Sequence, residues 1–278
     1  MKTIADAVHR EGYLAGIWLA PFNVQRGKSR ILKEHPDWLI RNPDGKPQLG
    51  CVAWGGAYTL DIYNPEVREH LKNVFDTVLN DWGYDMVKLD FLYSQCRTPR
   101  NNKTRGTIMC EAMDFLRECV GDKLILGCGV PVMPAFGLVD YCRVSCDVSL
   151  DWDDVWYMRL FHRERVSTKQ AINNTVIRRQ LNGRAYGSDP DVFFLREENC
   201  KLTAEQKRTL ATVNALLGNV FLTSDMPSRY TQAQRAEYRR LRTLFERATQ
   251  VQVEMENGRI YIRYLLGGTP QKLCFDPF

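Results

Sequence analysis

Short apolar runs alternate with longer stretches of helical periodicity along the first 247 residues. Residues 1–10 read as an amphipathic helix and not as a signal peptide. Residues 14–19 are a compact apolar run ending at Ala20-Pro21, a strand entering a loop. Val67, Leu71, Val74, Val78 and Trp82 then fall at helical spacing and predict a helix over 65–82. A strand is predicted at 86–92. Ile108, Ala112, Phe115 and Cys119 place a helix over 107–120. The next strand, 123–126, is closed by Gly127-Cys128-Gly129, and another is predicted at 140–148. Further apolar runs stand at 192–195 and 220–222. Thr203-x-x-Gln206 and Thr231-x-x-Gln234 are capping boxes. They open helices expected to run to Leu217, with Gly218 as the stop, and to about Arg247.

Repeated strand–helix units argue for a parallel sheet covered by helices. A doubly wound sheet and a closed eight-stranded barrel both fit that order. Polar placement favours the barrel. Lys88 and Asp90, Arg143 and Asp147, and Asp189 and Asp191 all fall near strand ends, which in a barrel form one ring where catalytic groups collect. No Gly-rich phosphate loop follows the first strand, against a nucleotide-binding sheet. After Arg247 polar and apolar residues alternate around Asn257-Gly258, a strong hairpin signal. The division expected is a catalytic α/β region over 1–247 and the start of a β domain over 248–278.

Composition narrows the class. The 278 residues are 44% hydrophobic and 26% charged, with a net charge of +5. These values exclude a disordered chain, a collagen and a coiled coil. No apolar run reaches the roughly 18 residues that a spanning helix needs. The charge excess is small and scattered, so neither nucleic acid nor a membrane is an expected partner. Nine cysteines occur with no C-x-x-C pair, which makes a structural zinc site and a disulfide framework poor readings. Most are expected to be small buried hydrophobes, which suits a cytoplasmic location.

Candidate chemistry lies in a few places. On a strand, Lys88 and Asp90 point the same way, and Val87 and Leu89 the other. A structural ion pair explains Lys88 and Asp90 as readily as a site does. The same alternation would put Arg143, Ser145 and Asp147 on one face. Two strand-end carboxylates are more telling than one, because glycoside hydrolysis needs two carboxyl groups across the bond. Trp18 could stack on the apolar face of a sugar, although a Trp on an apolar strand more often belongs to the core. Glycines beside Cys128 permit close approach to a ligand or merely close a strand. Arg97, Arg100, Lys103 and Arg105 read as a solvated loop. Asp151, Asp153 and Asp154 lack the later ligands of a calcium loop and read as loop and helix start.

Several runs together resemble the melibiase-type α-galactosidases of glycoside hydrolase family thirty-six. They are Gly16-Ile17-Trp18-Leu19-Ala20-Pro21, His35-Pro36-Asp37-Trp38, Leu60-Asp61-Ile62-Tyr63-Asn64-Pro65-Glu66-Val67, Val87-Lys88-Leu89-Asp90-Phe91, Gly127-Cys128-Gly129-Val130-Pro131 and the stretch from Gly137 to Asp147. The resemblance implies a (β/α)8 TIM barrel followed by a β-sandwich, with Asp90 as nucleophile and Asp147 as general acid/base. Lys88 and Arg143 would bind sugar hydroxyls, and Trp18 and Cys128 would line the galactose pocket. It implies retaining release of terminal α-linked galactose, no metal or organic cofactor, and a homo-oligomer in the full-length form. In such an enzyme the two carboxyl groups stand about 5–5.5 Å apart. Against the family pattern, Met1 begins in the helix after the second barrel strand and the chain ends early in the sandwich. A fragment of a longer enzyme is therefore expected. A raffinose-synthase-type galactosyl transferase, an α-N-acetylgalactosaminidase and a non-catalytic sugar-binding remnant are the alternatives.

Overall fold

A computed structural model describes residues 1–27, 29–52, 55–161 and 166–276. The chain forms two compact units, Met1–Cys142 and Arg143–Phe278.

The first unit is built on parallel strands. β1 (Gly16–Leu19) pairs with β5 (Met86–Leu89), β5 with β6 (Leu124–Gly127), and β6 with β7 (Tyr141–Arg143). Trp18 lies opposite Lys88, and Lys88 opposite Leu126. On β5 the inward Val87 and Leu89 are wholly buried, as period-two alternation requires. α1 (Lys2–Arg10) precedes β1. Between β1 and β5, β2 (Asn23–Gln25), β4 (Ala57–Thr59) and β3 (Leu49–Cys51) make a small antiparallel sheet, with the short α2 (Ile31–Glu34) beside it in sequence.

The crossover helices follow from local sequence. α3 (Pro65–Asp76) starts at Asn64, whose side chain accepts from the Glu66 N–H, with Pro65 in the first turn, where its missing N–H is harmless. It buries Val67, Leu71 and Phe75, and a π-helical turn (Thr77–Asp81) carries the apolar stripe on through Val78 and Leu79. α4 (Arg105–Val120) is capped by Thr104 and stops at Gly121, whose φ of 62° suits a residue without a Cβ. The Arg68 guanidinium of α3 lies 4.0 Å over the Phe115 ring of α4.

In the second unit, α5 (Trp156–Phe161) and α6 (Thr168–Ile177) lead to β8 (Gly187–Asp189). β9 (Val192–Phe193) and β10 (Leu222–Thr223) pair in parallel around α7 (Ala204–Leu217). Both expected capping boxes are present, at Thr203/Gln206 and at Thr231/Gln234, the latter opening α8 (Gln232–Arg247). Gly218 ends α7 for a packing reason. A Cβ there would stand 2.8 Å from the Asn214 carbonyl and from Pro190. The hairpin forms as expected. β11 (Ala248–Glu256) and β12 (Arg259–Leu266) turn through Asn257 and Gly258, both at positive φ. A second turn at Gly267-Gly268 adds β13 (Thr269–Phe275). Ile260, Ile262 and Phe275 share one buried cluster with Leu241 and Leu244 of α8 and Phe193 of β9. Pro277 and Phe278, the last residues of the expected β domain, lie outside the described residues.

Two sequence expectations need correction here. The strand expected over 140–148 ends at Arg143, so the alternation argued for Ser145 and Asp147 does not hold. The Val144 N–H turns instead to the Asp189 carbonyl at 3.1 Å. The cysteines are also less uniform than expected. All nine are free. Cys51, Cys96, Cys128 and Cys142 are buried, four are half-buried, and Cys110 is exposed.

Candidate active site

At the C-terminal end of β5 the ladder runs one residue further, the Asp90 N–H donating to the Leu19 carbonyl at 2.9 Å. Phe91 then adopts a left-handed conformation, φ 55°, and the chain enters a 3-10 turn, Leu92–Cys96. For a bulky residue that conformation costs about 1–2 kcal/mol. Its effect is local: the Phe91 N–H donates to Asp90 Oδ1 at 2.7 Å. Burial of the Phe91 ring beside Cys51 and Ala57 offsets the strain. Gly129 faces this corner, where a Cβ would stand 3.1–3.2 Å from the Phe91 backbone and 3.4 Å from Asp90 Oδ1.

The other carboxylate oxygen meets Trp18. The indole N–H donates to Asp90 Oδ2 at 3.1 Å. Trp18 is 43% exposed, so it is not the core residue that its apolar strand favours. Both Asp90 oxygens are thus aligned by neutral N–H donors, an arrangement that orients a carboxylate without pairing it to a cation. Lys88 is half-buried on the same side of β5, and no ion pair joins it to Asp90 among the described residues. Cys128 is buried, its N–H donating to the Leu89 carbonyl at 2.8 Å.

The basic stretch after Asp90 is not a solvated loop. Arg97 donates to the Leu49 and Gly50 carbonyls, Arg100 to Gln95 and Asp61, and Arg105 to the Cys96 carbonyl. These side chains brace the wall of the corner through backbone oxygens, which sequence spacing does not reveal.

In the second unit, Arg143 is the centre of a charge cluster. Its Nε lies 3.1 Å from Asp189 Oδ2, its Nη1 2.8 Å from Asp147 Oδ1, and its Nη2 2.8 Å from Asp191 Oδ1. Asp147 is on the loop after β7 with its side chain largely exposed, while Asp189 is wholly buried. Burial pushes the Asp191 carboxyl above the ordinary carboxylate range, against the pull of Arg143 and of the Val148 N–H. Asp153 accepts from the Ser167 hydroxyl at 2.8 Å, in keeping with a loop and helix-start role.

The Melibiase family model matches residues 1–111, a span holding Trp18, Lys88 and Asp90. Over 86 residues the chain is 33% identical to an α-galactosidase of Lactobacillus acidophilus, covering 31% of this chain and 11% of that protein. It is 28% identical over 107 residues to the A type blood α-D-galactosamine galactosaminidase of Flavonifractor plautii, 36% of this chain and 10% of that protein. The structure of the α-galactosidase from Thermus thermophilus in complex with p-nitrophenyl α-D-galactopyranoside superposes with a TM-score of 0.81 at 30% identity, over 97% of this chain and 54% of that one. The chain is related to the melibiase-type α-galactosidases. It spans about half the length of the T. thermophilus enzyme and about a tenth of the curated relatives. A family thirty-six α-galactosidase of Geobacillus stearothermophilus, 16% identical with a TM-score of 0.58, shares the fold alone. Cys128, Arg143 and Asp147 of this melibiase relative lie beyond the matched segment. No helix among its described residues is long and apolar enough to cross a membrane.

Sequence reasoning named Asp90, Trp18 and Arg143 as candidates but not what holds them. The bend at Phe91 went unread, because a left-handed residue that is not glycine leaves no trace in apolar patterning. Asp189 and Asp191 were noticed as strand-end carboxylates. Their common partner, Arg143, lies 46 and 48 positions away, so no spacing could reveal it.

Proposed function

We propose that this chain carries the catalytic carboxylates of a retaining glycoside hydrolase releasing terminal α-linked galactose from oligosaccharides such as melibiose or raffinose. The observation that carries this reading is the corner at Asp90. A strand-end carboxylate is held by two neutral N–H donors beside an exposed indole. It sits in a chain that superposes along 97% of its length on an α-galactosidase bound to an aryl α-galactoside.

In the first step Asp90 attacks the anomeric carbon and the glycosidic C–O bond breaks, while Asp147 gives its proton to the leaving oxygen. In the second step Asp147 takes a proton from a water that attacks the galactosyl ester, freeing Asp90. Fixed N–H donors suit a nucleophile that must approach one carbon along one line. Lys88 and Arg143 would bind or order sugar hydroxyls, and Trp18 and Cys128 would line the pocket. Under this reading residues 1–247 belong to a (β/α)8 catalytic barrel, 248–278 open a β domain, the full-length form is a homo-oligomer, and the location is cytoplasmic.

The test is Asp90→Ala with and without azide. Turnover falls by orders of magnitude, and azide restores some rate and yields β-galactosyl azide. Near-normal turnover in the variant would remove Asp90 from the role. The likeness to a galactosaminidase makes an aryl α-galactosaminide the competing substrate in the same assay. Partition between water and sugar acceptors separates hydrolysis from transfer.

A further inference from the structure

Arg143 is surrounded by more negative charge than a single acid/base carboxyl needs. One buried carboxylate would neutralise it. Asp189 and Asp191 are both buried against it, and Asp147 adds a third. Taking an additional carboxylate out of water is costly unless its other oxygen is satisfied. Here each is satisfied by backbone. Asp189 Oδ1 accepts from the Asp191 N–H at 2.8 Å, and Asp191 Oδ2 accepts from the Val148 N–H at 2.7 Å. Asp191 itself stands at φ 75°, a left-handed conformation that surrounding contacts must enforce. Asn214 of α7 supplies one such contact, donating to the Asp191 carbonyl at 3.0 Å.

Asp191 therefore grips the Asp147 segment twice, once through Arg143 and once through the amide of the next residue, Val148. On the basis that Asp147 is the acid/base group, we propose that Asp189 and Asp191 are positioning residues for Asp147. They act through Arg143 and the Val148 amide, and they share the Arg143 guanidinium that would otherwise face Asp147 alone. A lone guanidinium beside a carboxylate depresses its pKa by about 1–3 units. A general acid so depressed would have given up its proton before the bond broke. Two carboxyl groups besides Asp147 thus share the one guanidinium. Among the described residues nearby, burial pushes the half-buried Cys146 thiol up, and Arg178, just after α6, donates to the Val144 carbonyl.

Asp191→Asn and Asp189→Asn keep the shape and delete one charge each. The readout is the 13Cγ titration of Asp147, assigned with Asp147→Asn, in the whole chain, together with melting temperature. This readout does not depend on turnover. In a folded Asp191→Asn chain the Asp147 midpoint falls by about one pH unit, a tenfold loss of proton affinity. Asp189→Asn shifts it in the same direction. An unchanged midpoint in either folded variant would overturn the clamp, whatever the activity. Loss of folding in both would overturn it too, since the cluster would then serve the fold alone. The galactosidase reading fails separately, if Asp147→Asn spares melibiose as fully as it spares an aryl galactoside.

Discussion

The two ends of β5 hold an aspartate each, and they are held in opposite ways. Asp85, just before the strand, accepts from His9 Nε2 at 2.7 Å, the Ala15 N–H at 2.9 Å and Lys123 Nζ at 3.1 Å. Burial pushes its carboxyl up, but these donors together outweigh burial and hold it down at about 2. Asp90, just after the strand, has neutral donors on both oxygens and an exposed indole beside it. The first arrangement ties α1, the loop before β1 and the start of β6 together. The second orients a half-buried carboxylate beside an exposed indole. Stabilising contacts before a parallel strand and a candidate chemical group after it follow the division described for strands of parallel barrels.

The sharpest way to break that contrast is substitution at Asp90. Asp90→Asn lowers turnover of an aryl α-galactoside by at least about a thousandfold, while the melting temperature stays close to that of the unchanged chain. A large loss of stability with a small loss of rate would reverse the assignment of the two ends. Next in size is Asp147→Ala. Melibiose turnover falls by about a hundredfold or more, and an aryl galactoside with an acidic phenol is largely spared. The ratio of the two rates is the measurement, and equal losses would contradict the acid role. Trp18→Phe keeps the aromatic face and deletes the N–H donor to Asp90. It lowers kcat by about tenfold, the size of one hydrogen bond to a charged group. An effect confined to KM would mean that Trp18 lines the pocket without aligning Asp90.

The smallest effect is at the other end of the strand. Asp85→Asn lowers stability by about 1 kcal/mol at neutral pH, with kcat unchanged. The folded pKa of Asp85 is below its ordinary value, so its contribution is fully present above about pH 4 and is lost as pH falls through about 2. Denaturant midpoints of the two chains therefore converge on acidification over that window. A gap that widened at low pH would show that Asp85 does not act through its charge.

Much of the fold was legible because its causes are local. Capping boxes, the Asn64-Pro65 helix start and the Asn257-Gly258 hairpin depend on residues within four positions of each other, and each stands where expected. The site was legible as residue types but not as an arrangement. Trp18 lies on an apolar strand, and only its position facing Asp90 distinguishes it from a core residue. The segment after Arg143 alternates like a strand, yet it leaves the strand at Val144, whose N–H donates to the Asp189 carbonyl.

The sequence by itself determined the strand–helix rhythm, the positions of the candidate carboxylates and the likeness to melibiase-type enzymes, because periodicity, capping and short motifs act over a few residues. The tertiary structure decided which groups share a charge. It brought Asp189 and Asp191 to Arg143, the Phe91 and Trp18 N–H donors to Asp90, and Lys123 to Asp85. Solvation is the reason. A charge leaving water must be met by specific partners, and the chain can bring those from any distance along its length.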